Sequence, residues 1–201
     1  MKKTAIAVFV SGGGTNLQAL IDAAAAGQLP SGEIRLVLSS NPNAYALQRA
    51  AKANIPTAVV TPKEPDAEAK IQKLLEDAGI QMIVLAGYMS ILSADFTARW
   101  ENRILNVHPS LIPAFCGKGF YGLRVHEAAL ARGVKVTGAT VHFVNEIPDG
   151  GEILLQKAVE ILPGDTPETL QKRVMEEAEW VILPQAVQLV CEKLISEENH
   201  G

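Results

Sequence analysis

The chain has 201 residues, of which 48% are hydrophobic and 20% are charged, and its formal net charge is −4. A chain of this length and composition can bury a substantial core in one domain or in two tightly joined halves. Its acidic balance argues against a surface built mainly for nucleic-acid phosphates. The first apolar run, residues 5–10, is too short for a signal-peptide core or a membrane span, so we expect a cytoplasmic protein that binds neither nucleic acid nor membrane.

A strand, a glycine-rich turn and a helix open the chain. Residues 3–10 predict a buried strand, and the turn at residues 11–16 leads into a helix that we expect to begin near Leu17. Glycines let the main chain approach a ligand closely, and the free N–H groups at a helix N-terminus suit a phosphate. Because the turn lacks the lysine of a P-loop and Leu17 replaces the third glycine of a dinucleotide fingerprint, it fits a single phosphate better than a dinucleotide. A tight turn without a ligand is the alternative.

Alternating strands and helices continue through the middle of the chain. The polar residues after the second strand are not the acidic residue that a nicotinamide cofactor would need. The apolar residues 87–92 follow a strand end, where they line either a ligand slot or the core. The patterns predict a short helix capped by Ser93, helices over residues 43–53 and 65–78, and strands over residues 34–38, 57–60 and 82–86.

The strand over residues 104–108 ends in two polar side chains. Residues two apart in a strand share a face, so Asn106 and His108 project to one side, and Pro109 and Pro113 then stop the strand. An amide that donates N–H beside an imidazole that donates or accepts can stabilise an oxyanion and move a proton. A turn asparagine beside a histidine satisfied by the backbone is the alternative.

Residues 135–144 and 153–161 predict an antiparallel hairpin, and the turn-forming loop between them holds Asp149. By chemistry alone Asp149 is a turn aspartate more often than a catalyst, and His142 is interpreted as a partly buried structural histidine. A metal hydrolase that uses His108, His142 and Asp149 is an alternative, although no close ligand pair supports it.

The C-terminal part predicts a long helix. Thr166 followed by Pro167 is a well-formed helix start, and Pro184 must kink or divide the helix because it lacks a backbone donor. Cys116 and Cys191 lie outside any zinc-ligand spacing and are interpreted as free thiols.

Five segments taken together resemble the phosphoribosylglycinamide formyltransferases of purine synthesis, and the resemblance covers nearly the whole chain. The Asn-x-His motif with a later Asp-Gly-Gly is shared by the wider folate-dependent formyltransferase group, whereas the glycine loop and the short chain point to the glycinamide ribonucleotide enzymes. The segments are Ser-Gly-Gly-Gly-Thr-Asn-Leu at 11–17, Leu-Ala-Gly-Tyr-Met at 85–89, Asn-Val-His-Pro-Ser-Leu-Ile-Pro at 106–113, Gly-Ala-Thr-Val-His-Phe-Val at 138–144 and Asp-Gly-Gly at 149–151.

This resemblance implies an α/β fold in which a Rossmann-like, mostly parallel sheet is continued by an antiparallel hairpin, with helices on both faces. One formyltransferase domain would span residues 1–201, with the phosphate site in 1–103 and the formyl-folate and catalytic half in 104–201. The implied reaction transfers a formyl group from the cosubstrate 10-formyltetrahydrofolate to the glycine amine of phosphoribosylglycinamide and needs no metal. The oligomeric state stays open between a monomer and a homodimer.

The resemblance also assigns residues to three sets. The catalytic set is Asn106, His108 and Asp149. The set that binds phosphoribosylglycinamide is Gly14, Thr15, Asn16 and Glu179. The set that binds folate is Met89, Ser90, Ile91, Leu92, Asn106, Asn145, Glu146, Ile147, Pro148 and Asp149.

Several positions depart from the family pattern. Ser90 replaces the arginine of a Met-Arg-Ile-Leu motif, and Ala67 aligns with an arginine often found at the start of the third helix. The loop at residues 116–121 differs from the shorter proline-glycine loop of many members. An apparent one-residue insertion precedes Glu179, and Trp180 stands in place of the usual histidine.

In the implied mechanism the neutral amine attacks the formyl carbon without a covalent enzyme intermediate. Asn106 and protonated His108 would stabilise the oxyanion, and Asp149 would favour the imidazolium and accept the proton released by the amine. A formyltetrahydrofolate hydrolase and a nonenzymatic phosphate-ligand sensor are the alternatives. A tRNA formyltransferase would want a basic C-terminal extension, whereas this chain is acidic.

Overall fold

The computed structural model describes residues 2–200 and contains one seven-stranded sheet in the order β3-β2-β1-β4-β5-β6-β7. Strands β1 to β5 pair in parallel, and β6 and β7 add an antiparallel hairpin. The prediction of a mostly parallel sheet continued by a hairpin is therefore confirmed. The strands are β1 Thr4–Val10, β2 Gly32–Ser39, β3 Thr57–Val59, β4 Met82–Leu85, β5 Ile104–His108, β6 Val136–Phe143 and β7 Ile153–Glu160.

The helices connect these strands and cover both faces of the sheet. Ser93 caps α4 by accepting a hydrogen bond from the Phe96 amide, as predicted, and Thr166 forms a capping box at the start of α6. The helices are α1 Thr15–Ala25, α2 Tyr45–Lys52, α3 Ala67–Asp77, α4 Ala94–Arg99, α5 Leu123–Arg132, α6 Pro167–Val174 and α7 Trp180–His200.

Strand β1 shows why the sheet needs helices on both faces, since all seven of its residues are buried. Alternate residues point to opposite faces, so Ile6 and Val8 pack in one core cluster and Phe9 packs in the other. The first cluster includes Leu17 of α1 and residues of α6 and α7, and the second includes Leu75 of α3.

The predicted C-terminal helix is divided, but the division lies before Pro184 rather than at it. Residues Met175–Glu179 form a π-helical turn between α6 and α7, and Pro184 lies inside α7. In a regular helix the N–H of residue 184 would donate to the carbonyl of Trp180, but proline has no N–H. Trp180 is the first residue after the π turn, so the irregular backbone directly precedes the carbonyl that Pro184 leaves without this partner. A π turn accommodates one extra residue, which is consistent with the apparent insertion before Glu179.

Within residues 2–200, none of the helices has both the length and the apolar character that crossing a bilayer requires.

Candidate active site

The candidate site lies at the carboxyl ends of the parallel strands, where ligands bind in open α/β sheets. The glycine loop follows β1, the segment at residues 87–92 follows β4, and Asn106 and His108 end β5. The hairpin loop between β6 and β7 approaches the same edge, because Asp149 contacts residues of both β5 and β6. Segments far apart in sequence therefore meet at one place.

Asn106, His108 and Asp149, the predicted catalytic set, are brought together around a second histidine. Strand β6 pairs antiparallel with β5 and places His142 opposite Asn106, whose Nδ2 lies 3.1 Å from His142 Nε2. Asp149 reaches both rings, with Oδ2 3.6 Å from His108 Nδ1 and Oδ1 3.6 Å from His142 Nε2. The site is thus a cluster of four polar side chains, two of which come from the hairpin.

The hydrogen bonds of the two histidines define which ring nitrogens face each other. His142 Nδ1 donates to the Phe143 carbonyl at 2.7 Å, since a carbonyl only accepts, and Nε2 is left to accept from Asn106. His108 Nε2 donates to the Phe115 carbonyl at 2.8 Å, so its Nδ1 faces Asp149. Among residues 2–200, no three His, Cys, Asp or Glu side chains are arranged to hold a metal ion.

Asp149 is held in a strained conformation that fixes its carboxylate. Its φ of 55° is in the left-handed region, and Oδ2 accepts a 2.8 Å hydrogen bond from the Gly117 amide. Burial raises the pKa of Asp149, but the adjacent His142 ring, the charge of His108 and the Gly117 amide together bring that pKa below its ordinary value. The carboxylate is therefore ionised at neutral pH. Gly151 lies at the end of the same loop, and no side chain fits there, because a Cβ would lie 1.8 Å from the Phe143 carbonyl oxygen.

His142 is a site residue that the sequence interpretation undervalued. It is 1% exposed, so it is fully rather than partly buried, and it lies between Asn106 and Asp149. The sequence indicated this position in part, since an antiparallel neighbour of β5 would place one of its alternate residues beside Asn106.

A second histidine without an assigned role, His126 of α5, is fully buried, and neither of its ring nitrogens is hydrogen-bonded. Burial, and then the charge of His108, lower the pKa of His126 to about 4.

A cleft beside the cluster collects nearly all residues of the predicted folate set. Met89 is the exception, because it is 59% exposed and does not line the cleft. Its main-chain N–H donates to Ser11 Oγ at 2.9 Å. Ser90 lines the cleft, and none of the lining residues is a lysine or an arginine. The lining residues are Leu85, Tyr88, Ser90, Ile91, Leu92, Thr97, Asn106, His142, Val144, Asn145, Glu146, Ile147, Pro148 and Asp149.

Helix α1 begins at Thr15, two residues earlier than the predicted start near Leu17. Gly14 is its N-cap and has a left-handed conformation with φ 72°. A Cβ on Gly14 would lie 2.6 Å from Ala46 Cβ, so this glycine is needed for packing against α2. A Cβ on Gly12 or Gly13 would meet nothing within 4 Å. Arg49 of α2 fixes the loop by donating to the Gly13 carbonyl at 2.8 Å.

The other predicted ribonucleotide residues lie where α1 begins and the π turn ends. Asn16 Nδ2 donates to Glu179 Oε2 at 2.7 Å, and both residues are buried. Burial raises the pKa of Glu179 to about 7 against the opposing effect of the Asn16 hydrogen bond. Thr15 Oγ1 lies 3.8 Å from the Met175 sulfur, which joins the same two elements. Thr15, Asn16 and Glu179 therefore occupy one corner of the molecule.

An α/β sheet that presents an amide, two imidazoles and a carboxylate beside a cleft is suited to stabilising an oxyanion and moving a proton. The chain belongs to the formyl transferase family, whose family model matches residues 4–187.

Comparisons with individual proteins agree with this membership. The phosphoribosylglycinamide formyltransferase of Haemophilus influenzae is 42% identical over 196 residues, which cover 96% of this chain and 88% of that protein. The trifunctional purine biosynthetic protein adenosine-3 of Homo sapiens is 42% identical over 204 residues, and this chain spans 20% of its length. The crystal structure of glycinamide ribonucleotide transformylase 1 from Symbiobacterium toebii superimposes with a TM-score of 0.87 at 40% identity, covering 95% of this chain and 89% of that one.

Proposed function

We propose that the protein transfers a formyl group from 10-formyltetrahydrofolate to the glycine amine of 5'-phosphoribosylglycinamide in purine biosynthesis. The products are formylglycinamide ribonucleotide and tetrahydrofolate. The observation that carries the proposal is the position of Asp149, which lies 3.6 Å from both His108 and His142 and also lines the cleft. Relatives with this named activity, matched over almost the whole chain, support it.

The proposed chemistry begins with attack of the neutral amine on the formyl carbon. The oxyanion that forms can accept the second Nδ2 hydrogen of Asn106, and the positive charge of protonated His108 stabilises it while the two ring nitrogens of His108 face Phe115 and Asp149. Asp149, ionised and facing the ring, favours the imidazolium and accepts the proton released by the attacking amine. The bond from the formyl carbon to N10 of the folate then breaks, and N10 takes up, directly or through water, the proton that Asp149 accepted from the amine, which regenerates the carboxylate. The chemistry requires no covalent enzyme intermediate.

The two substrates would occupy the two sides of this cluster. The cleft suits a flat apolar heterocycle, since Leu85, Leu92 and Val144 line it. The ribonucleotide phosphate would bind on the glycine loop, where Gly12 and Gly13 leave room and the N-terminus of α1 offers free N–H groups. Thr15, Asn16 and Glu179 would bind the phosphate and the ribose hydroxyls.

A turnover assay tests this function against its alternatives. We expect the absorbance change of formyl-folate consumption to require phosphoribosylglycinamide. Equal turnover without the ribonucleotide would show a formyltetrahydrofolate hydrolase, and ribonucleotide binding without turnover would show a sensor. Activity that disappears after chelation and returns with a divalent ion would contradict the metal-free mechanism. A cytoplasmic location and a homodimer stay predictions.

A further inference from the structure

We propose that Ser11 is a positioning residue that couples the two substrate sites. Its hydroxyl belongs to the loop proposed to bind the ribonucleotide, yet it holds the main chain of the segment that lines the folate cleft. The inference rests on the proposed function, because that function assigns a substrate to each side.

Three segments meet at the Ser11 hydroxyl. The Met89 amide donates to Ser11 Oγ at 2.9 Å, and Ser11 Oγ lies 2.6 Å from Ser40 Oγ. A serine hydroxyl can accept from an amide while sharing its own hydrogen with a second hydroxyl, so both contacts are satisfied together. The Ser11 carbonyl also accepts from Asn41 Nδ2 at 3.3 Å. Ser11 therefore connects the ends of β1 and β2 with the chain that leaves β4.

The neighbours of this hydroxyl are themselves fixed. Ser39, which is fully buried, accepts from the Asn41 amide at 3.1 Å and donates to the Asn41 carbonyl at 2.8 Å. Before Met89 in the chain, the Tyr88 ring packs edge-on against Phe9 of β1 with centroids 5.2 Å apart. Met89 is exposed, so its main chain is held by the hydrogen bond from its amide to Ser11, just before Ser90 and Ile91.

On the other side of Ser11, the loop continues directly into Gly12 and Gly13, which have open space above them. A phosphate bound on this loop contacts the main chain next to Ser11, and the Ser11 hydroxyl transmits any shift of that main chain to the Met89 amide. The converse follows from linkage: if one ligand changes the affinity for the other by some factor, the effect is the same in both directions.

The test measures binding with a pair that cannot react, tetrahydrofolate and phosphoribosylglycinamide. Dissociation constants are determined by titration calorimetry for each ligand alone and in the presence of the other. In the unmodified protein we expect each ligand to change the affinity for the other by the same factor. Ser11→Ala should weaken tetrahydrofolate binding by about two- to tenfold, the size expected for one lost hydrogen bond, and should bring the coupling factor close to one.

Two further variants separate positioning from a general structural effect. Ser11→Thr keeps a hydroxyl and should restore the coupling, whereas Ser40→Ala keeps the Ser11 hydroxyl and its bond to Met89 and should retain it. An unchanged tetrahydrofolate affinity in Ser11→Ala would overturn the inference, as would equal weakening of both ligands together with a lower Tm. If the unmodified protein binds neither ligand, the proposed function itself fails, which is a different result.

Discussion

Asn16 donates a 2.7 Å hydrogen bond to Glu179, and this contact ties the first turn of α1 to the π turn that lies 163 residues later in the chain. Burial makes the Glu179 carboxyl a much weaker acid than it would be in water, with a pKa of about 7. The contact therefore gives the folded protein a titration near neutral pH at a position proposed to bind ribose.

Glu179→Gln should remove a decrease in the free energy of unfolding that the unmodified protein shows as pH rises toward and above neutrality. The folded protein holds the Glu179 proton more tightly than the unfolded chain, so stability falls as pH rises from about 4.5 through the folded pKa of about 7. The full loss is about 3 kcal/mol at about 1.4 kcal/mol per pKa unit. Urea unfolding at pH 5 and pH 8 should show that the variant lacks this fall. Glu177→Gln, an exposed position in the same turn, is the control, and parallel behaviour of all three proteins would contradict the prediction.

His126 should limit stability on the acid side. Its folded pKa of about 4 is below that of an unfolded histidine, so the unfolded chain binds more protons and stability is lost as pH falls from about 6.5 through 4. This loss is also about 3 kcal/mol. His126→Leu removes the titration without removing a hydrogen bond, because neither ring nitrogen has a partner. We expect the variant to unfold at a lower pH, and an unchanged acid transition would show that another group governs it.

Asp149→Asn should lower kcat by about 10²-fold or more while the fold is kept, because the oxyanion and proton-transfer network loses its charge. Asparagine tolerates the left-handed conformation of Asp149, and its amide oxygen still accepts from the Gly117 N–H. The ratio between the two proteins should shrink at acid pH, where Asp149 itself becomes protonated. Glu152→Gln, an exposed carboxylate beside the same loop, should leave the kcat profile unchanged. A lower Tm with a normal kcat would make Asp149 only a turn residue.

Gly13→Val should raise the ribonucleotide KM at least tenfold, since its side chain would fill the space proposed for the phosphate. The folate KM and Tm should change little, because a Cβ there meets no atom within 4 Å. Gly14→Val is the contrasting variant and should lower Tm, because a positive φ and Ala46 both oppose a side chain. Equal increases in both KM values for Gly13→Val would place the phosphate elsewhere.

Local rules were enough to predict much of the fold. The Ser93 and Thr166 caps each depend on neighbours within a few residues, and both are present. The alternation of elements likewise indicated a parallel sheet, and paired strand patterns indicated the hairpin.

Features that depend on contacts between distant segments were not predicted. The π turn that ends at Glu179 was not predicted, and His142 joins the site through its pairing with Asn106 on the neighbouring strand. Met89 shows the same limit, since a contact with Ser11 orients its main chain and leaves its side chain exposed. The roles of the predicted site residues, and the division of the chain at residue 103, stay predictions.

Strand β5 is hydrogen-bonded to the parallel strand β4 on one side and to the antiparallel strand β6 on the other. The strand that bears Asn106 and His108 is thus the last of the parallel strands and pairs with the first antiparallel one. Its two neighbours come from different halves of the sequence. Neither half contains a complete set of partners for this strand. We therefore expect a polypeptide cut after residue 103 to be inactive as separate fragments and to regain turnover only when the two reassociate into a continuous sheet.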